Sequence, residues 1–148
     1  MNKKQEIQQA LTTAMKARDE DTKRTLRLLM SSIKLAEVEE GGDISDDRIL
    51  SLLQKEVKTR EDIIAESKQA GRGDLVQAAE REMVILERFL PQQLSEAELK
   101  DLAKDAINES GASTMRDMGN VMKVLMPKLQ GRASGSDASR IVRELLQN

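Results

Sequence analysis

Apolar residues along this chain recur every three or four positions, in run after run, and nowhere does a stretch of β-branched or aromatic residues alternate with period two. That periodicity is the signature of helices with one buried stripe, and it leaves no candidate strand. Ile7, Ala10, Leu11, Ala14 and Met15 mark a first helix over residues 3–17. A second spans 20–40, with acids in its first turn and Gly41-Gly42 as its stop. Its Leu26, Leu29, Ile33 and Ala36 share a face while Leu28 and Leu35 lie well around the cylinder, so it is expected to pack on two sides.

Ser45 is expected to cap a long third helix that reaches Gly71, and Asp74 to cap a fourth that stops near Pro91. Leu90-Pro91-Gln92-Gln93-Leu94 reads as a linker. Beyond it, Ser95-Glu96-Ala97-Glu98 matches a capping box, in which Ser and Glu satisfy each other's unpaired amides, and Gly111 closes the fifth helix. Thr114 is expected to cap a sixth helix that Pro127 kinks or ends, and Asp137 to cap the last. The expectation is an all-α chain made of an N-terminal four-helix unit over 1–91 and a C-terminal three-helix unit over 95–148.

The residues the chain lacks exclude whole chemistries. Its 148 residues contain no Cys, His, Trp or Tyr and one Phe. There is no thiolate nucleophile, no disulfide framework, no imidazole base and no zinc or iron–sulfur ligand set. Phe89 alone could stack on a base, which rules out an aromatic platform for single strands. Gly41-Gly42-Asp43-Ile44-Ser45-Asp46-Asp47 has the acids of a calcium loop without their spacing. P-loop, dinucleotide and nucleophile-elbow motifs are absent. No cofactor, metal or catalytic residue is expected. With no run of 18 apolar residues, a membrane partner is not expected and the default location is the cytoplasm.

What remains is charge. Residues 1–36 carry eight Lys and Arg against four Asp and Glu, in a chain whose net charge is −2. Lys23, Arg27 and Lys34 fall within about 40° of one another on the second helix, with Arg24 adjacent. Such a stripe is either an ordinary solvated face or a surface for RNA phosphates. A second basic bias covers residues 110–148, where Lys128 and Arg132 flank the turn before the last helix. Glu56 and Arg60 sit one turn apart inside the third helix's apolar stripe, as an i, i+4 ion pair or as a polar site where helices meet. Met115, Met118, Met122 and Met126 form a soft stripe suited to a core or to an adaptable docking groove.

Read in order, several segments resemble the GatB/YqeY family, which includes small bacterial YqeY proteins and the tail domain of the B subunit of aspartyl/glutamyl-tRNA amidotransferase. They include Thr25-Leu26-Arg27-Leu28-Leu29, Leu53-Gln54-Lys55-Glu56-Val57-Lys58-Thr59-Arg60, Leu90-Pro91-Gln92-Gln93-Leu94, Met118-Gly119-Asn120-Val121-Met122 and Met126-Pro127-Lys128-Leu129-Gln130-Gly131-Arg132-Ala133. The resemblance covers nearly the whole chain. It implies an all-helical two-part fold and association with tRNA-handling enzymes. In the amidotransferase the tail helps recognise tRNA, and the active sites lie elsewhere; this chain is similar to the tail alone.

Three functions follow as expectations. The first is a non-catalytic module that binds tRNA or another folded RNA, not DNA, by phosphate and shape through Lys23, Arg24, Arg27 and Lys34, with Lys128 and Arg132. The second is a protein-interaction module that docks on a tRNA-handling enzyme. The third is a carbon–nitrogen ligase with glutamine as amido donor, a label that the family resemblance would attach.

Overall fold

A computed structural model describes residues 1–148 and contains seven α-helices, one 3-10 turn and no strand. The helices are α1 (Lys3–Lys16), α2 (Glu20–Glu40), α3 (Asp46–Gln69), α4 (Gly73–Glu87), α5 (Glu96–Ser110), α6 (Met118–Leu129) and α7 (Gly135–Gln147). The chain divides into two compact units, Met1–Pro91 and Gln92–Asn148.

The boundaries follow from local chemistry. Asn2 begins α1 with a capping box closed by Gln5, and Asp19 begins α2 by accepting the Thr22 N–H. Ser45 caps α3 and Ser95 caps α5. Glycines end α2 and α5 in the left-handed conformation, Gly41 at φ 79° and Gly111 at φ 69°, where a Cβ would be strained.

Three expected caps differ. Helix α4 starts at Gly73 after Arg72, so Asp74 lies in the first turn, where its carboxylate accepts from the Arg72 guanidinium at 3.0 and 3.1 Å. Thr114 caps the 3-10 turn Met115–Asp117, and α6 begins only at Met118. Ser134, not Asp137, caps α7 by accepting the Asp137 N–H. Pro127 does not end α6, which continues past it to Leu129.

The first unit buries Ile7 of α1, Leu26, Leu29, Ile33 and Ala36 of α2, Ile49, Leu52 and Leu53 of α3, and Ile85 and Leu86 of α4 in one cluster. Two polar ties secure α1 to it. The Lys4 ammonium lies 2.9 Å from Glu37 of α2, and the Lys3 N–H donates to Asp46 at 3.2 Å. In the second unit Leu99, Ala103 and Ala106 of α5 meet Val121, Leu125 and Leu129 of α6 and Ala138, Ile141 and Val142 of α7. Alanines on α5 let its neighbours approach closely.

The segment read as a linker is partly built into the second unit. The Leu94 N–H donates to the Arg132 carbonyl at 2.8 Å, the Gln93 side chain donates to the Gly131 carbonyl at 3.1 Å, and Arg132 Nε donates to the Gln92 carbonyl at 2.9 Å. Three bonds thus clip residues 92–94 to the turn before α7.

Candidate functional site

Helix α2 presents two opposite faces. Thr22, Thr25, Leu26, Leu29, Met30, Ile33 and Ala36 are buried. On the far side Arg27, Leu28, Lys34, Leu35 and Val38 are exposed, the three apolar residues at 51%, 60% and 78%. The expectation that α2 packs on two sides is therefore corrected: Leu28 and Leu35 face solvent. Around the start of this outer face, Glu20, Lys23, Arg24, Arg27, Leu28 and Ser31 border a hollow of about 430 Å³.

The basic residues on this helix are not equivalent. Lys23 pairs with Glu20 at 3.1 Å. Arg24 reaches Asp21 at 3.0 Å and Glu82 of α4 at 3.8 Å. Arg27 and Lys34 form no ion pair, so their charges stay uncompensated on the exposed face. Spacing on a helical wheel groups Lys23, Arg27 and Lys34 but is blind to acids one turn away or on another helix.

Of the C-terminal candidates, Lys128 lies 2.6 Å from Glu109 of α5, and Arg132 holds the Gln92 carbonyl through Nε. The structure brings these two toward their own unit's framework. Hydrogen bonds with Ser95 hold the Glu98 carboxyl below its ordinary range, and the Arg132 charge adds a little to this.

Glu56 and Arg60 form the i, i+4 pair, and a third residue completes it. Arg60 is 6% exposed; its Nη1 donates to the Glu56 carboxylate and its Nε donates to Glu82 at 3.2 Å. Glu82 also faces Arg24, and Asp21 joins Arg24 to Arg81, so six charges in alternating sign cross α2, α3 and α4. Its neutral sum and its full set of partners make it a structural brace. Nothing in the sequence marks Glu82 as the receiver, because it lies 22 residues from Arg60. Near this network Thr25, 1% exposed, keeps a side-chain oxygen without a hydrogen-bond partner.

The methionine stripe is divided. Met118 and Met122 pack against the second core, whereas Met115 and Met126 are exposed. No group of three or more acidic side chains is placed to hold a metal ion. No helix is long and apolar enough to cross a membrane. The groups whose titration is displaced lie at exposed helix caps and in surface ion pairs, and two of them border open hollows: Asp19, beside Arg88 and Phe89, and Arg72, beside Val76 and Glu80.

A family model described as Yqey-like protein matches residues 4–146, and so runs through both units. The chain belongs to the YqeY-like family. Among relatives, it is 27% identical over 143 residues to the altered inheritance of mitochondria protein 41, mitochondrial, of Pyrenophora tritici-repentis, covering 95% of this chain and 78% of that protein. A protein of the same description from Lachancea thermotolerans is 33% identical over 106 residues, covering 70% of this chain and 57% of that protein. An uncharacterized protein of Schizosaccharomyces pombe is 32% identical over 89 residues, covering 60% and 72%. The family match agrees with the resemblance read from the motifs, and the all-helical fold is the one that resemblance implies.

Proposed function

We propose that this YqeY-like chain is a non-catalytic recognition module that binds tRNA or another folded RNA by its phosphate backbone and shape, through the outer face of α2. The observation that carries the reading is the pair of uncompensated cations, Arg27 and Lys34, exposed on that face, with Arg27 bordering an open hollow. Lys23 and Arg24 add to it. The surface ion pair of Lys23 with Glu20 is worth about 0–1 kcal/mol, so a phosphate can replace that carboxylate at small cost, whereas Arg24 contributes while it also faces Glu82 in the charge network. Lys128 and Arg132 are secondary contributors, since each has a partner in its own unit.

The proposal includes no carbon–nitrogen ligase step. Without Cys or His the chain lacks the usual thiolate nucleophile and imidazole base for releasing ammonia from glutamine. A cytoplasmic location belongs to the proposal as well; two of the relatives carry a mitochondrial name, and that name is theirs.

Filter binding of tRNA between 50 and 200 mM salt tests the reading. Two phosphate contacts would weaken binding about 12-fold over that range and four about 150-fold, with the duplex-DNA slope as guide. A flat response or no binding refutes it. Docking on a tRNA-handling enzyme is the second reading, and the exposed Leu28, Leu35 and Val38 favour it, because a phosphate surface has no use for them.

A further inference from the structure

We propose that the outer face of α2 is a seam for one acidic amphipathic helix of a partner protein. Leu28, Ser31, Leu35 and Val38 follow one another at spacings of three, four and three residues, which is the a/d pattern of a coiled coil. At 100° per residue these positions lie within about 80° of one another, on the side of α2 away from Leu29 and Ile33. No element of the first unit covers them, and the three apolar residues are exposed. Their spacing lets a second helix lay its own apolar knobs between them.

Charge selects the occupant. Arg27 and Lys34 occupy the two g positions that flank the seam, both are exposed, and neither has an acidic partner. A helix with Glu or Asp on its facing edge would pair with them, and one with Lys or Arg would be repelled.

A second copy of this chain fits less well. Antiparallel pairing sets Arg27 and Lys34 against the same residues of the copy. Parallel pairing brings Lys34 toward Glu39 but stacks small Ser31 on small Ser31, which leaves the 430 Å³ hollow beside it unfilled. A foreign helix with a large apolar residue opposite Ser31 fills that space. The inference stands on the apolar strip and does not require RNA binding. Because both uses engage Arg27 and Lys34, a docked acidic helix would exclude RNA from α2.

Fluorescence anisotropy on the full chain tests this with two labelled three-heptad peptides. Both carry Leu at a and d; one has Glu and the other Lys at e and g. The expected result is binding of the Glu peptide alone, weakened about tenfold or more by L28S/L35S, with R27E/K34E transferring the preference to the Lys peptide. Circular dichroism melts should show both variants folded, since every substituted residue is exposed. Failure of both peptides, or equal binding of both that ignores L28S/L35S, overturns the proposal. So does a dimer in sedimentation that L28S/L35S abolishes, which would make the seam a self-interface. Loss of tRNA binding in L28S/L35S while neither peptide binds would instead assign the face to RNA.

Discussion

Thr25 places a hydroxyl in the first core with no partner for it. A buried polar group left unpaired costs roughly 1–3 kcal/mol, and valine has nearly the same shape without the hydroxyl. Thr25→Val should therefore raise stability by about 1 kcal/mol in urea unfolding. Arg60 presents the opposite case. Arg60→Met would leave Glu56 and Glu82 facing each other's charge with no cation between them. Breaking such a buried pair costs about 3 kcal/mol, at the low end of the range because the two glutamates keep some exposure. Adding E56Q and E82Q to that variant should recover most of the loss. The helix caps respond to acid. The Thr22 hydroxyl, then its N–H, holds the Asp19 carboxyl below its ordinary range, and the N–H groups of Ser113 and then Thr114 do so for Asp117. A carboxylate with a lowered folded pKa stabilises the fold above its ordinary range near pH 4 and ceases to as pH falls through the lowered value. The stability gap between wild type and the D19N or D117N variants should accordingly be present at pH 7 and shrink toward pH 2.

At the scale of elements, several helix ends were legible from neighbours within four residues. Ser45, Ser95, Gly41 and Gly111 act as expected, because capping is local chemistry. Asp137 was expected to cap α7, yet Ser134 stands three residues earlier with a side chain equally able to cap, and the backbone geometry chose it. The same limit applies to the basic stripe: period alone groups Lys23, Arg24, Arg27 and Lys34, and only the fold shows Arg24 drawn toward Glu82 of α4. It applies to Leu28 and Leu35 too, since periodicity shows a second apolar face but not whether anything covers it. Gly111→Ala isolates a cap. No atom lies within 4 Å of an added Cβ, so the expected loss of about 1 kcal/mol comes from the left-handed backbone and not from a clash. A thermal melt measures it.

At the scale of the molecule, the two cores share no residue, one drawing on α1 to α4 and the other on α5 to α7. Residues 1–91, expressed alone, should unfold cooperatively and retain RNA binding. The shorter piece, 92–148, should be marginal because so small a chain buries a smaller fraction of its surface. The all-helical class was legible from periodicity, and the family from its ordered motifs. The uncompensated pair Arg27 and Lys34 was not, since it emerges only after every other candidate cation has found its acid or carbonyl. The proposed RNA surface stands on that pair. Its most direct test is tRNA binding at 50 mM salt by wild type and by R27A/K34A, two exposed substitutions that should leave stability within about 0.5 kcal/mol. Wild type should bind with a salt slope of at least two contacts, and the variant should lose affinity and slope together. Equal binding by the two proteins, or none by wild type, would contradict it.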